Sequence, residues 1–283
     1  MTLRATILIP AHDEATVIAR TLHPLCDLTE SGAIALIVIA NGCNDDTAAV
    51  ASATCPAAQV LQTQTAGKTH ALNLGMERAH PGLPVLCLDA DLELTASAAL
   101  ALITAIEAGA LAAVGQMQVD SRLASGVVQA YQRAWARNPY FAKGKFGGVF
   151  ALAPAVTRNL FPLPHVTGDD EYLRRSIDAD HIAFVPECQF TAQSPRTLKS
   201  LFATRKRALR GARQVQRLGL ANPTSNTAQT MLKASLSQPR ALFDLAVFVA
   251  IGLAVRLALS VESHSKSTTW ERDLTTRKTG VAL

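Results

Sequence analysis

At 283 residues the chain can bury a substantial core, and its length suits one α/β domain with an appendage or two small domains, the former being the simpler reading. Charged residues make up 17% and aromatics 5%, against abundant alanine and aliphatics, which excludes a largely disordered chain. The formal charge is +5, and much of the excess lies between Arg196 and Arg217, which points to one anionic partner at one place.

ATILIP (5–10) is a short apolar run ended by proline, and ATVIARTLHPL (15–25) carries apolar residues at helical spacing, so strand, loop and helix follow in order. IALIVIA (34–40) predicts a second buried strand closed by the turn-forming NGCNDD, with a helix over 46–53. A third strand is expected at 57–64, a third helix at 67–79, and a fourth strand, LPVLCLDAD (83–91), ends in carboxylates. This alternation implies a parallel sheet whose ligand site lies beyond the strands' carboxyl ends, where HDE, NGCNDD and DAD all fall.

Beyond that point, 95–110 predicts a helix, 113–120 a strand and 125–141 a helix ending at Asn-Pro. GKFGGVFALAP (144–154) reads as a loop feeding a strand, with Gly147 and Gly148 permitting close backbone approach to a ligand. TGDDEYLRRSI (167–177) is an acid-rich helix start, and HIAFVPE (181–187) is a short strand. Residues 196–218 form a basic helix with Lys199, Lys206, Arg210, Arg213 and Arg217 on one stripe. Leu198, Leu201, Phe202, Leu209 and Ala212 lie opposite, with Arg205 among this apolar group. ALFDLAVFVAIGLAVRLALSV (241–261) is nearly long enough to span a bilayer, and the residues from Glu262 read as a polar disordered tail.

Asp89 and Asp91 flank Ala90, so both carboxylates leave one side of an extended backbone, an arrangement of hard oxygens suited to Mg²⁺ or Mn²⁺ bridging a diphosphate. Asp169, Asp170 and Glu171 either cap a helix or supply a general base. The basic stripe has no aromatics beside it to stack bases, so a diphosphate or anionic lipid is a better partner for it than nucleic acid. His12, His70 and His165 are too scattered to argue a metal site. The five cysteines include no CxxC pair and read as reduced packing residues. The ILIP run is too short for a signal peptide, so the catalytic part is expected in the cytosol.

Taken in order, ILIPAHDEATVIARTL, IVIANGCNDDTAAVA, GKTHALNLG, LCLDADLEL, GGVFALAP and TGDDEYLRRS resemble the family 2 inverting glycosyltransferases of the GT-A fold, over roughly residues 5–215. The resemblance implies a nucleotide-sugar donor, with a UDP-sugar expected, bound at an open, mainly parallel sheet flanked by helices. It matches Pro10, Ala11 and Glu14 to the loop that cradles the nucleoside, and Lys68, Asp89, Ala90 and Asp91 to the donor motif, with Asp91 holding the metal. Asn41 stands where the family often has an aspartate that contacts the base, which leaves the nucleotide open. Gly147, Gly148 and Asp169 match the acceptor side, Asp169 replacing a glutamate, and Asp170 matches the catalytic base. The Gln-x-x-Arg-Trp motif of processive members is broken by Thr204, Lys206 and Ala208, leaving Arg207 as the matching arginine at the diphosphate. Periodicity instead turns Arg205 inward, and the choice stays open.

The expected domains are 1–220 for the transferase, 221–261 for a helical segment and 262–283 for the tail. The acceptor is expected to be a saccharide or lipid-linked saccharide of the cell envelope. Cations after the apolar segment (Arg256, Lys266, Arg272, Arg277, Lys278) outnumber those just before it (Lys233, Arg240), so spanning from the cytosol would oppose the usual charge bias. That segment is therefore expected to pack on the domain or lie on an anionic cytosolic membrane face. Two rivals remain: a nucleotidyltransferase, though HDEATV lacks the glycine-rich basic loop of that class, and an inactive sugar-binding or scaffold protein.

Overall fold

A computed structural model describes residues 2–138, 145–220, 227–236 and 238–261. The expected tail, 262–283, lies outside the described residues. Strands β1 (Ala5–Ala11), β2 (Ile34–Asn41), β3 (Gln59–Thr63), β4 (Val85–Leu88), β5 (Ala112–Asp120), β6 (Val149–Leu152) and β7 (Ile182–Gln193) form one sheet in the order β3-β2-β1-β4-β6-β5-β7. Strands β1 to β4 pair in parallel, and so do β5 and β7. Strand β6 runs antiparallel to both of its neighbours, so the sheet is mixed but mainly parallel. Every residue of β1 and β4 is buried, as expected of strands covered by helices on both faces. Between β1 and β4 the strand order reverses, which opens the crevice where ligands of such sheets bind.

The helices are α1 (Ile18–Leu22), α2 (Cys26–Glu30), α3 (Thr47–Thr54), α4 (Lys68–Met76), α5 (Ala96–Glu107), α6 (Gly126–Ala136), α7 (Pro154–Leu160), α8 (Asp169–Ser176), α9 (Leu198–Arg217), α10 (Thr227–Ser235) and α11 (Pro239–Val261). The helix expected over 15–25 begins later and continues to Glu30, with a 3₁₀ turn at His23–Leu25 carrying the chain past Pro24, whose missing N–H cannot serve an α-helix. Strand β7 runs six residues past the expected end at 187. It pairs with β5 around a register shift at Gly115, where a Cβ would lie 2.3 Å from the Cys188 carbonyl oxygen. All five cysteines are free thiols, as their spacing implied.

A second hydrophobic cluster joins α6, α9 and α11 through Val128, Tyr131, Leu201, Ile251, Val255 and Leu259. The inward stripe of α9 differs from the expected one: Leu198 is exposed, while Gly211 and Val215 are buried. Helix α11 is long and apolar enough to cross a membrane, with mean hydropathy 2.2. It packs against α6 and α9 along one face, and its Asp244 is fully buried. Arg133 grips that carboxylate through two bonds of 3.0 and 2.7 Å, and Arg137 adds a third contact at 3.4 Å. Burial works against the Asp244 charge, but the two arginines outweigh it and hold the carboxyl below its ordinary range.

Removing one side of this contact is not equivalent to removing the other. Arg133→Ala with Arg137→Ala strands a buried carboxylate and is expected to cost about 3–5 kcal/mol, whereas Asp244→Leu leaves two arginines that can reach water and costs less. Urea unfolding of the variants measures the order, and equal losses would contradict it.

Candidate functional site

The crevice between β1 and β4 is built from backbone first. Asn41, at the end of β2, is fully buried; its amide donates to the carbonyls of Ala11 and Ile39 at 2.7 and 3.3 Å and accepts from Gly67 N–H at 2.9 Å. Its side chain thus braces the ends of β1 and β2 and the turn into α4 from within. Pro10 and Ala11 are buried at the end of β1, and Glu14 is buried just beyond, its N–H bonded to Thr47 at 2.7 Å. The loop after β4 is pinned from α1: Thr21 donates to the Ala90 carbonyl at 2.8 Å and Arg20 to that of Asp91 at 3.3 Å. Ala90 is buried by this, while Asp89 and Asp91 remain partly accessible.

Lys68, the first residue of α4, sets its ammonium 2.7 Å from Asp89 Oδ1 and 3.0 Å from Asp169 Oδ2. The second contact lies outside hydrogen-bond alignment, so the buried Asp169 Oδ2 has no hydrogen-bond partner among the described residues. Burial opposes the charge of Lys68, but Asp169, Asp89 and Asp170 together hold it above the ordinary lysine value. Burial likewise pushes the Asp169 carboxyl up, to about 6, with Lys68 opposing and Asp170 and Asp89 adding to the rise.

The acid-rich start of α8 sorts its three carboxylates. Asp169 goes to Lys68. Glu171 is held by Arg174 at 3.0 and 2.8 Å and by Arg175 at 2.8 Å, contacts at i+3 and i+4 that the DDEYLRRS string already encodes. Asp170 forms no ion pair among the described residues, and its Oδ1 accepts the Glu171 N–H at 2.8 Å. Helix α9 crosses the start of α8 at a glycine pair, where a Cβ on Gly211 would lie 2.9 Å from Gly168 N, and Gln214 bonds Thr167 N–H at 2.9 Å. Neither glycine was singled out from the sequence, because close approach of two backbones leaves no local signal beyond the glycines themselves.

Gly148 adopts φ +86°, its carbonyl accepts the Asp89 N–H at 2.8 Å, and it leaves no room for a Cβ, which would fall 2.4 Å from Asp89 Oδ2. Gly147, at φ +44°, approaches Met117 instead. Arg207 is half-buried on α9, whereas Arg205 turns its guanidinium over Trp135, 5.0 Å from the ring centre, as helical periodicity implied. Lys145 lies over the same ring at 4.9 Å and was missed in the sequence, where it is one lysine beside a glycine.

The structure also gathers His12, Asp13 and Cys43, whose candidate ligand atoms lie within 4.8 Å of one another. Their polar atoms are already engaged: His12 Nδ1 is 2.7 Å from the Asn41 carbonyl, Asp13 Oδ1 accepts from Asn44 N–H at 2.6 Å, and Cys43 Sγ accepts from Asp13 N–H at 3.3 Å. Burial pushes the Cys43 thiol up, away from the thiolate that a metal requires.

A family model described as Glycosyl transferase family 2 matches residues 6–151. Comparison with curated proteins gave no match. Among solved structures, glucosyl-3-phosphoglycerate synthase of Mycobacterium tuberculosis is 20% identical, with 77% of this chain and 81% of that chain covered at a TM-score of 0.54. The same synthase in complex with Mn²⁺, UDP and phosphoglyceric acid matches 77% of this chain and 79% of that one, again at 20% identity and a TM-score of 0.54. A mannosyltransferase from Pyrobaculum calidifontis in complex with GDP-Man and Mn²⁺ is 18% identical, covering 92% of this chain and 76% of that one at a TM-score of 0.55. At such identities the likeness establishes a shared fold.

The raised Asp169 has a direct consequence for stability. An acid whose folded value, about 6, exceeds its unfolded value near 4 contributes stability at low pH that is lost as pH rises through the folded value. The unfolding free energy of the parent, relative to Asp169→Asn, is therefore expected to fall between about pH 4 and pH 6. Parallel pH profiles in chemical denaturation would refute the assignment.

Proposed function

We propose a function from one premise: the chain belongs to glycosyl transferase family 2. It is a glycosyltransferase of the GT-A type, which sets aside the nucleotidyltransferase and scaffold alternatives. The finer reading is an inverting, metal-dependent, non-processive transfer from a nucleotide sugar to an acceptor hydroxyl. The observation that carries it is the division of labour at the start of α8, which leaves Asp170 as the one acid of three without a cationic partner among the described residues. A carboxylate without an ion pair among the described residues is suited to take a proton from an attacking hydroxyl.

In this reading the nucleoside lies on Pro10, Ala11 and Glu14, with Asn41 supporting that loop from behind. Lys68 holds Asp89 in place while Gly147 and Gly148 let the acceptor approach. Asp170 accepts the hydroxyl proton as oxygen attacks the anomeric carbon opposite the departing diphosphate, so configuration inverts. The residue fit for Mg²⁺ or Mn²⁺ is Asp91, a partly accessible hard carboxylate on a loop pinned by Arg20, in contrast to the engaged thiol-bearing trio at His12. When bound, the ion supplies charge neutralisation to the leaving diphosphate. The Mn²⁺ complexes of the two similar enzymes support this choice, and their UDP and GDP-Man ligands support a nucleotide-sugar donor. Thr204 and Ala208, in place of the processive motif, support single transfers, with Arg207 assigned to the diphosphate.

We further propose a peripheral position on an anionic membrane. One side of α11 packs on the domain, while Leu242, Phe243, Val249, Leu253, Leu257 and Val261 are exposed. Together with the basic stripe of α9, this suits a helix lying in the interface, with a saccharide or lipid-linked acceptor of the cell envelope. Crossing the bilayer would require breaking the Asp244 ion pairs.

A donor screen reading nucleoside diphosphate release tests the activity directly. Asp170→Asn is expected to slow transfer by about 10²–10⁴-fold with little change in donor affinity, while Glu171→Gln costs less. Parent-like turnover of Asp170→Asn would move the base elsewhere. Chelation of divalent ions is expected to abolish turnover, with restoration by Mn²⁺ in the parent but only weakly in Asp91→Ala. Full activity in chelator would remove the metal from the mechanism.

A further inference from the structure

Two cations share one aromatic ring beside the proposed catalytic acid. Lys145 Nζ is 4.9 Å from the centre of Trp135, and the Arg205 guanidinium is 5.0 Å from it and 5.9 Å from that of Tyr131. Among the described residues neither cation stands within ion-pair distance of a carboxylate, although Lys68, Arg133, Arg174 and Arg175 all do. Two like charges brought to one ring repel each other, and burial with Arg205 nearby indeed lowers the basicity of Lys145, against the pull of Asp170. An anion held by both would relieve that repulsion through charge-assisted hydrogen bonds.

The position of the pair identifies which anion. Lys145 leads into β6, which lies across β4 from β1, on the opposite side from the loop assigned to the nucleoside. The acids whose charge it feels are Asp170 first, then Glu171 and Asp89, which places it at the acceptor end of the site. Tyr131, under Arg205, rests on Phe248 of α11 with ring centres 5.0 Å apart, so the cations are continuous with the helix whose outer side is apolar.

We propose that Lys145 and Arg205 form a specificity site for a phosphate group carried by the acceptor. The proposal rests on the glycosyltransferase reading and adds the chemical class of its acceptor: a phosphorylated molecule whose hydroxyl reaches Asp170 while its phosphate sits between the two cations beside Trp135. A lipid headgroup and a water-soluble acceptor present the same phosphate chemistry to the pair.

Trp135 and Trp270 are the two tryptophans, so the full chain carrying Trp270→Phe reports on the site through Trp135 fluorescence. Titration with inorganic phosphate is expected to give a saturable change that chloride at equal ionic strength does not give. Lys145→Gln and Arg205→Gln are each expected to weaken it by about tenfold, and Lys145→Arg to restore most of it. Phosphatidylcholine vesicles containing phosphatidic acid distinguish the sources. Tighter binding per phosphate than inorganic phosphate, absent with phosphatidylcholine alone, assigns a lipid headgroup, and equal binding assigns a soluble acceptor. The absence of any saturable change, or affinity untouched in both glutamine variants, overturns the proposal. An equal loss of nucleoside diphosphate affinity in those variants also overturns it, since the cations would then serve the donor. Donor hydrolysis, measured on the same samples, keeps the outcomes separate: hydrolysis without phosphate binding refutes the acceptor site alone, and no hydrolysis with any donor refutes the transferase reading beneath it.

Discussion

One ammonium group ties the site together. Lys68 stands between Asp89, at the end of β4, and Asp169, at the start of α8, and without it these carboxylates would face each other across a poorly solvated gap. Burial opposes the charges of Lys68 and Asp169, and the neighbouring carboxylates outweigh it for the lysine, whereas Lys68 does not outweigh it for Asp169, which stays less acidic than an ordinary aspartate. The arrangement ties the end of β4 to the helix that carries Asp170. It also explains the glycine at 148, because Asp89 can reach Lys68 only if the backbone beside it carries no side chain.

Much of this was legible in the sequence because the relevant signals are local. Strand and helix alternation through residue 120 follows from runs of β-branched and alanine-rich segments, and the three polar clusters fall at the sheet's carboxyl edge as the topology requires. Asp89, Asp169 and Lys68 could be named individually, yet nothing in their spacing says that one lysine bridges two aspartates. Asn41 was read as a candidate for the nucleobase, and only the fold shows its amide spent on Ala11, Ile39 and Gly67. The phase of α9 was misread at Leu198 because a helical wheel averages over twenty residues, while Gly211 is buried by a single crossing with Gly168. The extension of β7 and its pairing with β5 depend on a bulge at Gly115, which no periodicity reveals.

The second structural constraint is the buried Asp244. A helix as apolar as α11 could partition into a bilayer or collapse on any greasy surface, since hydrophobic burial is non-directional. A carboxylate gripped by Arg133 and Arg137 gives it one seat, with Ile251, Val255 and Leu259 facing α6 and α9 and Leu242, Phe243, Val249, Leu253, Leu257 and Val261 left outside. Arg213, on the basic stripe, also reaches the Leu259 carbonyl at 3.5 Å, where a cation complements the negative end of the helix dipole.

The distribution of charge then gives the site a direction. Glu171 is paired within its own helix by Arg174 and Arg175, and Asp169 lies against Lys68, which leaves Asp170 as the one acid of the three without a cationic partner among the described residues. Near Asp170 the sign changes, with Lys145 and Arg205 gathered on Trp135 of α6, the helix against which α11 packs. An acceptor bearing a negative group would thus be drawn past the base instead of being repelled by the acids around it. The same cations would be a liability if the acceptor were neutral, because desolvating two like charges together costs stability that nothing else in the second cluster recovers.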